Sequence, residues 1–259
     1  MGGLTVMDLR ALKGQRQIAF VQVAHEEEAI AAAEAGMDMI GTAFVPERAH
    51  FASAVPGSHF QYGLPWGKHA DAVEALRDAM AAMQAGAQSI YCGMSPQVVE
   101  ILAREGVPVI CHVGLVPPKA TWTGGYRAVG KTGDQARAIW KQVRDFEDAG
   151  AFAVELEVIP ADLASAITVR TNMLTVSLGS GAGCDVQYLF SADLLGENTG
   201  HFPRHAKRYR DFAAMRARMQ GERVAAYREY IADVQTGTFP DSEHIVGMDP
   251  AILDDLFLD

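Results

Sequence analysis

Residues 149–160, AGAFAVELEVIP, decide how the chain is read. Ala149-Gly150 reads as a helix end, because glycine takes the left-handed conformation that closes a helix. The apolar run after it reads as a buried strand, and Pro160 stops it. Glu155 and Glu157 interrupt that run two residues apart. Strand side chains alternate, so both acids point to one face. Phe152, Val154, Leu156 and Val158 leave the other face apolar, as packing against helices requires. If the acids face inward, each needs a partner, a metal ion or a proton, because an unpaired buried charge is costly.

The same punctuation recurs along the chain. Ala35-Gly36, Ala85-Gly86 and Glu105-Gly106 each close a helical pattern and lead directly into MDMIGTA, AQSIYCG and VPVICHVG. Tight helix-to-strand joints of this kind imply parallel strands covered by helices, with strands apolar on both faces. Strands are expected at residues 18–23, 37–43, 59–62, 87–93, 107–114, 151–158, 173–178 and 188–190. Helices are expected at 5–13, 25–35, 69–84, 95–106, 132–148, 161–170 and 205–235, the last broken at Gly221. The reading is an α/β chain forming one (β/α)8 TIM barrel domain over residues 1–259, with extra N- and C-terminal helices. An acidic tail at 248–259 is expected to be peripheral. An open doubly wound sheet is the alternative.

Between residues 43 and 68 the periodicity fails among prolines, glycines and aromatics, which reads as a long functional loop. In a barrel the chemistry sits at the C-terminal ends of the strands. Gln22, Thr42, Gly63, Tyr91, His112 and Glu157 fall there.

With 259 residues and 49% hydrophobic content, the chain is long enough for one large core. A net charge of −10 argues against nucleic acid or an anionic membrane as partner. Cys92, Cys111 and Cys184 show no CxxC spacing, against a disulfide scaffold or thiolate zinc site. No apolar run is long enough to span a bilayer, and the start lacks a signal peptide's apolar core. A cytoplasmic protein is expected.

Several segments in order carry a resemblance: VPVICHVGLVPP, TGGYRAVGKT, LEVIPADLA, the GSGAG turn with Asp185 and Gln187, TGHFPRHAKRY and TGTFPDSEH. Together they resemble the ketopantoate hydroxymethyltransferase family, within the phosphoenolpyruvate mutase/isocitrate lyase superfamily. The resemblance implies a (β/α)8 barrel assembled as a homo-oligomer. It also implies a Mg²⁺-dependent aldol-type transfer from methylenetetrahydrofolate to a small-molecule 2-oxo acid. The family's base falls on Glu157, and its histidine after the fifth strand falls on His112.

Elsewhere the pattern departs. Gly41-Thr42-Ala43 stands where the family has an aspartate–serine pair, and Gly63 where it has a second metal aspartate. Tyr91 replaces a lysine, and no acid stands near Gly93. Glu155 is new at a position the family keeps apolar. Glu155, Glu157 and His112 have the composition of a relocated divalent-metal site; the plainer reading pairs Glu155 with a cation or a hydrogen-bond partner inside the barrel. Gln22, Thr42, Gly63 and Tyr91 are the expected substrate-binding positions, with Glu157 as base and His112 orienting the substrate. Two alternatives are a diverged lyase, aldolase or hydrolase acting on another 2-oxo acid, and a barrel that serves only as a binding or assembly subunit.

Overall fold

A computed structural model describes residues 3–256 of the chain. Eight strands close into an all-parallel barrel in sequence order. They are β1 (Ile18–Gln22), β2 (Met39–Ala43), β3 (His59–Gly63), β4 (Ser89–Tyr91), β5 (Val109–Gly114), β6 (Ala153–Glu157), β7 (Leu174–Leu178) and β8 (Val186–Phe190). The helices are α1 (Val6–Ala11), α2 (Glu26–Glu34), α3 (Phe51–Ala54), α4 (Ala72–Gln84), α5 (Pro96–Arg104), α6 (Ala120–Thr123), α7 (Gly133–Asp148), α8 (Ala161–Thr168), α9 (Ser191–Leu194), α10 (Phe212–Thr236) and α11 (Pro250–Leu256). The open doubly wound sheet is thereby excluded.

The helix-to-strand joints follow from their glycines. Gly36, Gly86, Gly106 and Gly150 have φ of 80°, 104°, 81° and 90°. A β-carbon disfavours that conformation, so glycine ends each helix and releases the chain into the next strand. Helices α4 and α7 start on side-chain caps: the Asp71 carboxylate accepts from Val73 and Glu74 N–H, and the Thr132 hydroxyl accepts from Gln135 N–H.

Between β2 and β3 only a short 3₁₀ turn (Pro46–Arg48) and α3 remain of a covering helix. The region expected as a long loop is thus largely folded around a buried strand, and Tyr62 stitches it together. Its hydroxyl donates to Arg48 O at 2.9 Å and accepts from Ala52 N at 3.1 Å.

The core has two layers. One lies between sheet and helices and includes Val154 and Leu156 of β6. The other fills the barrel with Phe20, Met39, Ile110, Ala153, Leu174, Val176 and Tyr188, and α1 closes its foot with Leu9. Phe152 joins this inner layer, because it precedes the regular strand and the alternation does not bind it. Lys13 holds the foot shut, with Nζ donating to Asp185, Met173 O and Thr168 O at 2.7, 2.9 and 3.2 Å.

The barrel unit runs to Arg210, and a second compact unit begins at Asp211. In that unit α10 is continuous through Gly221, contrary to the expected break, and residues 205–210 lie outside it. One glycine in a helix costs about 1 kcal/mol relative to alanine, which a 25-residue helix absorbs. No helix among the described residues is long and apolar enough to cross a membrane.

Leu9 is fully buried in the inner layer. Leu9→Ala is expected to lower unfolding stability by about 2–5 kcal/mol, the cost of a cavity in a close-packed core. Urea unfolding checks this; a loss below about 1 kcal/mol would show that α1 does not close the barrel foot.

Candidate active site

Strand alternation aims both β6 acids into the barrel. Val154 and Leu156 face the helices, so Ala153, Glu155 and Glu157 face inward. Parallel register sets His112 beside Glu155 and Gly114 beside Glu157. Glu155, Glu157 and His112 are only 5–8% exposed. The imidazole stands between the carboxylates: Nδ1 lies 3.6 Å from Glu155 and Nε2 lies 3.1 Å from Glu157. Nε2 also lies 2.9 Å from Leu115 O, and Nδ1 lies 2.7 Å from the Tyr91 hydroxyl. A carbonyl only accepts, so Nε2 carries the hydrogen; in the neutral ring Tyr91 then donates to Nδ1.

These residues line a cavity of about 210 Å³ at the C-terminal mouth of the barrel, together with Gln22, Gln61, Gly63 and Tyr188. Lys and Arg are absent from its lining. Burial pushes the Glu155 carboxyl up to about 7, with His112 opposing and Glu157 adding to the rise. Burial also opposes charge on His112, but the hydrogen bond and charge of Glu157 and the charge of Glu155 outweigh it, and its pKa is raised. Burial and then the two acids hold the Tyr91 phenol well above its usual value. The site thus holds protons near neutral pH on Glu155 and His112 that these two groups would largely release in water.

Glu157, Glu155, His112, Tyr91, Gln22 and Gly63 all line the cavity. Thr42 does not. Met39 points inward and Ile40 outward, so Thr42 falls on the outer face and donates to Val23 O at 2.8 Å. Ala43 takes the cavity position instead. Gln61 and Tyr188 were not anticipated. Tyr188 donates to Gln22 Oε1, and its ring stacks on Phe20 at 4.3 Å. Alternation along HFQYG and VQYLF was the available signal, obscured by the irregular flanks of the first and the underestimated length of the second.

Within the GSGAG turn Ser180 ties the ends of β6 and β7 together. Ser180 N–H donates to Ser177 Oγ, and Ser180 Oγ accepts from Ile159 N and donates to Leu156 O. Val158, directly after Glu157, has φ of 50°, a costly conformation for a β-branched residue.

The fold and site define a (β/α)8 barrel with an acid–imidazole cluster at its catalytic end. The sequence model of a family described as ketopantoate hydroxymethyltransferase matches residues 49–242. Among the relatives, 3-methyl-2-oxobutanoate hydroxymethyltransferase of Deinococcus radiodurans is 36% identical over 232 residues, covering 86% of this chain and 79% of its own. The protein of the same name from Oleidesulfovibrio alaskensis is 30% identical over 270 residues, covering 95% and 91%. The chain belongs to the ketopantoate hydroxymethyltransferase family. Solved structures share the fold: 2,3-dimethylmalate lyase, a PEP mutase/isocitrate lyase superfamily member, has a TM-score of 0.51 at 13% identity, covering 98% and 91%. Phosphonopyruvate hydrolase in complex with oxalate and Mg++ has a TM-score of 0.52 at 15% identity, covering 96% and 93%.

A divalent metal does not fit the residues present. Hard cations need several oxygen ligands converging on one point. Here Glu155 and Glu157 approach opposite nitrogens of His112, and both nitrogens already have partners. Among the described residues, no group of three His, Cys, Asp or Glu side chains is placed to hold a metal. Tyr91 takes up the space beside the two glycines instead. A β-carbon at Gly93 would lie 3.0 Å from its hydroxyl oxygen, and one at Gly63 3.5 Å from its ring.

Glu155 keeps its proton up to about pH 7 in the folded chain and loses it near its ordinary value when unfolded. The folded state therefore binds more protons in this window, and stability falls as pH rises through it. Glu155→Gln is expected to be more stabilising at pH 8 than at pH 5, by about 1–3 kcal/mol. Thermal or urea unfolding across pH 5–8 reads this; equal effects at both ends would mean the carboxyl is not held protonated.

Proposed function

We propose that the chain transfers a one-carbon unit to a small 2-oxo acid, 3-methyl-2-oxobutanoate, by aldol-type chemistry, with Glu157 as base. The observation that carries this reading is the Glu157 carboxylate lining the barrel-mouth cavity, 3.1 Å from His112 Nε2, within the segment matched to the family. Glu157 takes the proton from the carbon next to the ketone, and the electron pair moves onto the ketone oxygen as an enolate. Water releases the methylene of the one-carbon donor, methylenetetrahydrofolate in this reading, from both of its nitrogens as formaldehyde, and tetrahydrofolate leaves. The enolate carbon adds to the formaldehyde carbon, and the formaldehyde oxygen takes up the proton that Glu157 removed to become the product hydroxyl. His112, fixed through both nitrogens, orients the incoming group.

The enolate oxygen needs stabilisation that a carboxylate base cannot give. No step is drawn through a metal, because the residues present do not fit one. The hydrogen-bond donors at hand on the Nδ1 side of His112 are the protonated Glu155 carboxyl and, once the imidazole is protonated and Tyr91 accepts from Nδ1–H, the Tyr91 hydroxyl. Gln22 and Gln61 add amide groups for a substrate oxygen. The homo-oligomer and the exact C1 donor belong to the same reading.

A second reading, a diverged C–C lyase, aldolase or hydrolase on another 2-oxo acid, is favoured by the replacement of the family's acids with Gly63 and the Gly41-Thr42-Ala43 segment.

Proton exchange tests the first step without the donor. In D₂O, wild-type protein is expected to exchange the proton next to the ketone of 3-methyl-2-oxobutanoate, followed by NMR. Glu157→Gln should slow this at least about 100-fold and Tyr91→Phe about 10-fold. Rates in chelator and in added Mg²⁺ should agree within about twofold, since no metal site is built. Absence of exchange under both conditions would overturn this reading and favour the second; strong Mg²⁺ stimulation would restore a metal to the mechanism.

A further inference from the structure

The barrel-mouth cavity has an unexpected charge for a 2-oxo acid site. It presents two carboxyls and, among the described residues, no lysine or arginine, although a 2-oxo acid is itself an anion. The substrate carboxylate therefore needs a cation outside that cavity. Several cations after the barrel strands are already engaged. Arg48 donates to the Thr42 hydroxyl at 3.3 Å, Lys68 pairs with Asp78 at 2.7 Å, and Lys119 lies over the Trp66 ring at 4.9 Å.

A second hollow of about 460 Å³ adjoins the first and shares Glu157, Leu178 and Phe190 with it. Its rim carries Arg127, Lys131, Arg204, His201 and His205, against the single carboxyl of Glu157. In a chain of net charge −10, this is a local reversal of sign. The Lys131 and Arg204 side chains form no hydrogen bond or ion pair with the described residues, and the Arg127 side chain donates only to Gly124 O in its own loop. The backbone beneath these side chains is anchored. Val129 N–H donates to Val158 O at 3.1 Å, and Lys131 N–H to Gln135 Oε1 at 3.0 Å. Asn198 donates to His201 O at 3.0 Å, and the His205 ring lies where a β-carbon on Gly179 would clash. The hollow is of small-molecule size, and its cations stand on fixed supports beside the proposed base.

We propose that this basic hollow is a carboxylate-binding subsite in which Lys131 and Arg204 hold an anionic group of a reactant while its reacting part enters the neighbouring cavity beside Glu157. The proposal rests on the 2-oxo acid reading above. Two reactants carry the required chemistry: the 2-oxo acid itself and the glutamate tail of a folate donor. Charge complementarity at such a site draws in anions and weakens with salt.

Calorimetric titration of the full chain tests it, with 3-methyl-2-oxobutanoate, its uncharged amide and tetrahydrofolate as separate probes. Lys131→Ala/Arg204→Ala, two exposed positions outside the core, is expected to weaken binding of at least one of the two anions by about tenfold or more. Amide binding should change less than about twofold. Loss for the 2-oxo acid assigns the hollow to the substrate carboxylate, and loss for tetrahydrofolate assigns it to the donor tail. Unchanged affinity for both anions, no saturable binding of either to wild type, or equal loss for the amide would overturn the proposal. Proton exchange separates the two claims: exchange with unchanged anion affinity keeps the proposed function and removes the subsite, and the converse keeps the subsite alone.

Discussion

His112 stands between two buried carboxylates, 3.6 Å from Glu155 and 3.1 Å from Glu157, and the rest of the site is built around that arrangement. Three titratable groups this deep cannot all adopt their usual charges, because each charge taken from water must be compensated by a neighbour or a proton. The compensation here is collective. Glu155 is pushed up to about 7, the imidazole is held above its usual value, and Tyr91 stays a phenol. A hydrogen-bonded chain from Tyr91 through His112 to Glu157 follows, and the Leu115 carbonyl fixes which ring nitrogen carries the hydrogen.

Tyr91 occupies the side of the cavity opposite Glu157, across the His112 ring. Gly93 leaves room for the phenol, and Glu155 adds a second acid proton on the same side of His112. A tyrosine and a carboxyl held largely protonated thus stand together on one side of the His112 ring. Such donors act strongly where water is excluded. Among the described residues the cavity lining holds no lysine or arginine, which gives the basic hollow beside Glu157 its significance.

Much of the fold was legible in the order of the residues. The Ala-Gly and Glu-Gly joints repeat, and a glycine at φ near 80–104° has a single structural meaning at a helix end. Period-two alternation correctly aimed Glu155 and Glu157 to the same face. Where alternation lacked an anchor it misled: Thr42 sits at the right height on β2 but on the outer face, donating to Val23 O. Gln61 and Tyr188 went unseen because their strands lie in stretches with weak edges. Gly221 does not break α10, since helix breaking by one glycine depends on what the rest of the helix can offset.

The sequence by itself determined the alternating parallel architecture, the shared face of the two β6 acids and the family, because these depend on local conformation and on an ordered set of motifs. Only the tertiary structure decided what the two acids do to each other. Residues 112, 155 and 157 meet through barrel register, and whether their lone pairs converge on one ion or flank one imidazole is a matter of direction, which spacing along a chain does not encode. The opening strand, two acids in an apolar run, proves to be one wall of a proton-holding site.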